Sequence, residues 1–482
     1  MGKLTTIFKD TAIYGLSSII GRFLNYLLVP LYTAQFSAAS GAYGIITNIY
    51  AYVALAMVLL TFGMETTYFR FTNKTHTDSE TVYGTTLITV GSISLLFAVL
   101  VLLLLSPISQ LMGYGDHPDY VGVMAVTIAI DAFLCIPFAH LRQQRKAIKF
   151  AALKLLNIMV SILLNLIYFY FMDGKDVGYV FYINLACTMM LAVCLITEYT
   201  GFRWRLDTKL LRTMLSYSWP ILVLGIAGIL NQTADKMLFP YIYKGSDMHA
   251  QLGIYGACSK IAMIMAMITQ AFRFAYEPIV FAGVKDKDQH EMYTKTMKYF
   301  IIFTLLAFLI VVGYIDLLKY IVRNSDYWVG LKVVPIVMAA EIMMGIYFNL
   351  SFWYKIIDKT IWGAVFSGIG CAVLLLVNII FVPKYGFMAC AWGGFAGYGV
   401  AMLASYFVGQ KYYPLNYPLK DIALYVWLTI MAFTVMFIVR GSQSLLVSLS
   451  VNTLFILLFV VVIIRRDLPM SKLPVIGKYF KH

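Results

Sequence analysis

A chain of 482 residues that is 61% hydrophobic and only 12% charged is not built as a soluble globular domain, which carries about 25% charged residues. The net charge of +14 does not point to nucleic acid, because the Lys and Arg lie in short loops between apolar segments, where topology-setting charges belong. No polar stretch is long enough for a separate soluble domain; the longest cover residues 71–80 and 284–298.

The apolar pattern predicts about fourteen membrane-spanning helices, since about 20 apolar residues cross a bilayer. Their approximate limits are 12–36, 42–64, 82–105, 119–141, 150–172, 177–199, 214–242, 252–275, 297–317, 332–354, 360–382, 386–409, 420–440 and 444–464. The first follows a polar, basic stretch without a small-residue cleavage site and reads as an uncleaved signal anchor. The seventh is the least regular, because Pro220 and the pair Asp235-Lys236 interrupt it. The six Cys all fall in apolar segments, form no CxxC pair and read as small buried hydrophobes.

Charge bias orients these spans. With the N-terminus inside, 26 of the 37 Lys and Arg fall on the inner side and seven on the outer. That asymmetry predicts cytoplasmic termini and an even number of spans. The four remaining cations, Arg22, Lys154, Lys236 and Lys260, lie within spans.

The chain also resembles itself at an offset of about 210 residues. Leu28-Val29-Pro30 matches Leu238-Phe239-Pro240, and Gly41-Ala42-Tyr43-Gly44 matches Gly253-Ile254-Tyr255-Gly256. Asp131 pairs with Glu341, Arg145 and Lys149 with Lys355 and Lys359, and Asn165 with Asn378. Six spans separate the copies. An even number preserves orientation, so the halves are parallel repeats about an axis along the membrane normal. The predicted fold is all-α and integral to the membrane, with two six-helix lobes, residues 1–205 and 206–410, and a third segment, 411–482, with spans 13 and 14 and a cytoplasmic tail. Two lobes about a cleft are the architecture of alternating access.

Charges at membrane depth mark the candidate site. A cation there costs roughly 2.5–3.5 kcal/mol on insertion scales. Arg22 lies about ten residues into span 1, and Lys260 about 12 Å into span 8 at helical rise. Their placement suggests a water-filled, cationic interior, together with Lys236, for an anionic cargo. Asp235 is either the neutralising partner of Lys236 or an ion-coupling group. Asp131 and Glu341 read either as salt-bridge partners of the cations or as proton-linked sites. Lys154 is placed to snorkel. Glu65 and Arg70 at the mouth of span 2, with Arg273 and Glu277 at that of span 8, are candidates for a cytoplasmic gate or a first phosphate contact, because Arg engages phosphate bidentately. No P-loop, metal-ligand spacing or nucleophile–base pair stands out, so neither cofactor nor metal is expected and the chain does not read as an enzyme.

The motifs Ile19-Ile20-Gly21-Arg22 to Pro30-Leu31-Tyr32, Gly41 to Gly44, Gly63-Met64-Glu65 to Arg70, Asp235-Lys236, and Gly253 to Gly256 with Lys260 resemble the bacterial polysaccharide-export flippases. These belong to the multidrug/oligosaccharidyl-lipid/polysaccharide (MOP) exporter superfamily, with the multidrug (MATE) exporters and the lipid II flippases. The resemblance implies that the chain moves an undecaprenyl-pyrophosphate-linked oligosaccharide across the bacterial inner membrane for O-antigen, lipopolysaccharide or capsule assembly. It also implies membrane lipid, a polysaccharide polymerase and a chain-length regulator as partners. Arg22 stands where lipid II flippases place a cavity cation, but span 1 lacks their several arginines, which argues against lipid II as cargo. An ion-coupled multidrug or cation antiporter is the alternative within the superfamily. Basic interior groups and an extra helix pair point away from it; Asp131 and Glu341 favour it. A membrane scaffold or a glycosyl-processing enzyme is the reading from another class, and the short outer loops, poor in carboxylates and Arg, speak against the enzyme.

Overall fold

The computed structural model describes residues 26–73, 78–200, 204–282, 289–357, 359–442 and 444–467. Among them every regular element is a helix. Hydrocarbon cannot solvate backbone polar groups, and a helix satisfies its own. Numbered with the predicted spans, the helices are α1 (Leu28–Gln35), α2 (Ala42–Thr61, continued by Met64–Thr72), α3 (Ser79–Leu103), α4 (Pro118–Gln143), α5 (Ala147–Leu166), α6 (Gly178–Cys194) and α7 (Thr208–Ile242). The second half comprises α8 (Met248–Ala282), α9 (Gln289–Gly313), α10 (Val334–Leu350), α11 (Ile361–Tyr385), α12 (Phe387–Tyr412), α13 (Leu419–Ser442) and α14 (Leu445–Arg466).

Twelve of these, counted with their short extensions, are long and apolar enough to cross a membrane. The other two of the expected fourteen are α1, most of whose predicted span lies outside the described residues, and α6, whose 17 residues fall just short. The predicted interruption of span 7 is absent. α7 runs unbroken for 35 residues with Pro220 and Pro240 inside it, because neighbouring groups in a membrane bundle re-satisfy the backbone a proline disturbs. The real break lies in α2. Phe62 and Gly63 take left-handed φ values of 49° and 66°, and the helix then resumes to Thr72. At Gly63 a side chain would also sit 2.9 Å from Ile221 Cγ2.

The described residues form two compact units. The first takes the chain up to Ala257 together with Ser367–Gly393; the second takes Cys258–Phe366 and the chain from Gly394 onward. In the first unit Met64, Tyr68, Val82, Leu87, Ile136 and Met214 build a core from α2, α3, α4 and α7. Asp78 and Asp207 cap α3 and α7, each accepting two backbone N–H bonds at 2.9–3.3 Å. Here too the two copies of the glycine motif lie against each other. A Cβ on Gly253 would come within 2.9 Å of the Gly44 nitrogen, and one on Gly44 would run into the His249 carbonyl. Small residues are what lets two membrane helices approach this closely.

In the second unit Tyr347, Trp353, Tyr354, Phe366 and Ala401 pack around the C-terminal end of α10. Lys298 of α9 meets Asp421 at 2.6 Å and Asp467 at 2.5 Å, and Arg466 also pairs with Asp421. These bridges fasten α13 and α14 to α9.

Candidate functional site

Asp235 and Lys236 sit two turns from the C-terminal end of α7. The Lys236 ammonium curls back onto its neighbour, 3.2 Å from Asp235 Oδ1, and donates to the Gln232 carbonyl at 3.0 Å. It also lies 5.3 Å above the Tyr255 ring. Asp235 is 5% exposed and accepts a 2.7 Å hydrogen bond from the Tyr255 hydroxyl. A short chain of polar groups surrounds the pair. Asn48 Nδ2 donates to the Lys236 carbonyl at 2.8 Å, and the Tyr114 hydroxyl donates to Asn48 Oδ1 at 2.7 Å. The ammonium therefore already has a carboxylate in contact, and binding a cargo would require it to turn away.

A second cluster lies in the same unit. Asp131 Oδ1 accepts from the Thr188 hydroxyl at 3.0 Å. Lys154, expected to snorkel, stacks on Phe138 with its ammonium 4.0 Å from the ring centroid. Glu65 is bound by Arg142 at 2.6 Å and accepts a longer contact, 3.5 Å, from the Cys135 thiol. Arg70, placed with Glu65 at the predicted gate, instead covers the Tyr217 ring at 4.0 Å. The structure thus joins Glu65 to α4 rather than to Arg70.

The remaining candidates fall in the second unit. Lys260 is half-buried in α8 and Glu341 half-buried in α10. Arg273 is exposed, with its guanidinium 5.0 Å from the Phe348 ring centroid. Arg22 and the Glu277 side chain lie outside the described residues. Among the described residues no group of three or more His, Cys, Asp or Glu is placed to hold a metal ion. In the loop before α8, the Asp247 carboxyl is held below the usual carboxylate range by hydrogen bonds from Gln251 and Tyr243, at 2.8 and 2.9 Å.

Sequence reasoning missed Tyr255, Tyr114 and Arg142 as partners of the candidate carboxylates and of Asn48. Tyr255 had a signal, since it lies in the repeated glycine motif on the next helix, 20 positions after Asp235. Arg142 had none, because its bond to Glu65 spans 77 positions.

The model of a family described as polysaccharide biosynthesis protein matches residues 39–324, more than half of the chain. The chain belongs to this family. No curated protein matches it in sequence. Among solved structures, this polysaccharide biosynthesis protein is similar to the lipid II flippase MurJ in an inward closed conformation, with a TM-score of 0.74 at 14% identity over 93% of this chain and 98% of that one. It is also similar to an inward-facing multidrug resistance MATE family transporter of the MOP superfamily, with a TM-score of 0.64 at 13% identity over 83% of this chain and 94% of that one. At these identities the likeness is one of fold. The fold expected from the resemblance to MOP-superfamily flippases holds, and the chain is a multi-pass membrane protein, with twelve helices among the described residues long and apolar enough to cross a membrane.

Proposed function

We propose that the protein translocates a polyprenyl-pyrophosphate-linked oligosaccharide from the cytoplasmic to the periplasmic leaflet by alternating access. The observation that carries this reading is a flippase fold over nearly the whole chain in a member of a polysaccharide biosynthesis family. On this reading the protein lies in the bacterial inner membrane with both termini cytoplasmic and serves O-antigen or capsule assembly beside a polymerase and a chain-length regulator. Lobes 1–205 and 206–410 rock about a cleft, and helices 13 and 14 face the polyprenyl tail.

Arg22, Lys260 and Lys236 are the cations that offset desolvation of the pyrophosphate. Lys236 reaches the cargo by leaving Asp235. Asp131, Glu341 and Asp235 are the candidates for coupling to an ion gradient. Glu65, Arg70, Arg273 and Glu277 form the cytoplasmic mouth. The fold shared with a multidrug transporter supports a second reading, ion-coupled drug antiport.

The test is Arg22→Ala and Lys260→Ala in a host that depends on this protein for surface polysaccharide. Polymer should fall sharply at normal protein levels, and undiminished polymer would defeat the cationic-cleft assignment. For antiport, Asp131→Asn and Glu341→Gln should abolish drug resistance conferred by the protein; no resistance in the wild type removes that reading.

A further inference from the structure

Inside the second unit, α8, α9 and α10 enclose two adjoining spaces of about 20 and 10 Å³. Tyr276, Asn349 and Phe352 form a wall common to both. Thr269, Arg273, Gly345 and Lys355 complete the larger; Tyr293, Trp353 and Tyr413 are among the aromatic residues that line the smaller. Each space is of the size that admits one water or one ligand oxygen.

Among the described residues Thr269 Oγ1 and the hydroxyls of Tyr276 and Tyr293 have no hydrogen-bond partner, and their residues are only 6%, 7% and 6% exposed. A buried hydroxyl left unsatisfied costs about 1–3 kcal/mol, so three together point to an absent occupant. Its sign follows from the charges. Among the described residues lining either space there is no Asp or Glu, while Arg273 and Lys355 line the larger. Their charged ends lie over the Phe348 and Phe352 rings at 5.0 and 5.2 Å. Thr269 and Arg273, four positions apart on α8, share one face. Gly345 keeps the space beside Thr269 open, since a Cβ there would press on Phe300 and come within 3.1 Å of Thr269 Oγ1. The repeat-related position of Arg273, about 212 residues earlier, is Thr61, so the arrangement belongs to one lobe alone.

We propose that this is a phosphate subsite. One phosphate oxygen enters the larger space and accepts from Thr269, while Arg273 and Lys355 hold the remaining oxygens at its mouth. Identifying the phosphate as part of the cargo head group rests on the flippase reading; the anion chemistry does not.

The experiment is calorimetric titration of the purified full-length protein with inorganic pyrophosphate. Arg273→Gln and Lys355→Gln should each weaken binding about tenfold, as expected for one charge-assisted contact, and Thr269→Val about threefold. Arg273→Lys with Lys355→Arg keeps both charges and should retain binding within about threefold, so the assignment stays testable if a glutamine variant fails to fold. No binding by the wild type, or binding unchanged in the double glutamine variant, overturns the subsite. Translocation in proteoliposomes separates the two readings. A wild type that binds pyrophosphate but moves no lipid-linked oligosaccharide keeps the subsite and loses the flippase. Translocation with unaltered cargo affinity in the double variant keeps the flippase and loses the subsite. Displacement of pyrophosphate by phosphatidylglycerol nanodiscs but not by a polyprenyl pyrophosphate would reassign the occupant to bulk lipid and overturn the cargo identity.

Discussion

The ends of the two sequence repeats that are predicted to face the cytoplasm differ in charge. In the first, Lys149 and Lys146 converge on Glu198 at 2.7 and 3.8 Å, and that carboxylate is 7% exposed. In the second, Lys359 takes the place of Lys149 and lies 4.6 Å from the Tyr412 ring centroid. The position about 212 residues beyond Glu198 is Gln410, whose amide is bonded on both sides to Leu415, at 2.8 and 3.3 Å. One repeat neutralises its cations with a buried acid, and the other puts an uncharged amide at the equivalent place and ties down the segment leading to α13. The difference teaches that positions matched between the two sequence repeats can carry different local charge balance. If the proposed function holds, that difference has a use, since a positive surface on one half raises the local concentration of an anionic cargo.

The likeness of the halves breaks most readily where the glycine motifs meet. Gly44→Ala drives a methyl group into the His249 backbone, which cannot rotate aside as a side chain would. A loss of ~3 kcal/mol is expected, at the upper end of overpacking costs. Gly228→Ala on α7 meets nothing within 4 Å and should leave the melting temperature in detergent unchanged. Equal melting temperatures for the two variants would show that the motif crossing is not tight.

The unlikeness is sharpened by exchanging the acid. Glu198→Gln leaves two lysines beside a neutral amide. Both lysines are partly exposed, so the loss is discounted to about 1–2 kcal/mol of thermal stability rather than the larger cost of a fully buried pair. Gln410→Glu should leave stability nearly unchanged while lowering the affinity of the second repeat for inorganic pyrophosphate. An effect of Glu198→Gln confined to transport, with no change in melting, would contradict the structural role given to that carboxylate.

Much of this plan was legible in the sequence. Hydropathy alone located the spans because hydrocarbon admits little besides apolar helix, and the offset of about 210 residues found the motifs that touch. The seventh span misled because Pro220 and Asp235-Lys236 signal a break in water but not inside a bundle. The pairing of Lys236 with Asp235 was left open, since adjacent helical residues point to different faces and only a long side chain bends back. Glu65 with Arg142, and the enclosed hydroxyls of Thr269 and Tyr293, depend on contacts between distant helices that no local pattern encodes.

Asn165 and Asn378 carry the comparison to single residues. Asn165 accepts from the Tyr32 hydroxyl at 2.9 Å and donates to the Ser161 carbonyl at 2.8 Å. Its repeat mate Asn378 is equally buried, yet neither amide atom has a hydrogen-bond partner among the described residues. Removing a satisfied buried amide costs about 1–2 kcal/mol, whereas replacing an unsatisfied one with an apolar group of similar shape is neutral or stabilising. Asn165→Leu should therefore lower the melting temperature and Asn378→Leu should not. Equal destabilisation by both would mean that the Asn378 amide is satisfied by a partner such as water or an ion.

The smallest effect expected lies in the loop between α7 and α8, inside the second repeat. Gln251 and Tyr243 hydrogen-bond the ionised form of Asp247 and hold its pKa below the unfolded value of about 3.9. A group depressed in the folded state contributes stability above its unfolded pKa and loses it as pH falls through the folded one. Asp247→Asn should thus melt slightly below the wild type at pH 7, and the gap should close as the pH is lowered beneath 4. The side chain is exposed, so the shift in melting temperature is expected to be small and to shrink with added salt. A gap that widened on acidification would reverse the sign and show that the carboxyl is bound in its protonated form.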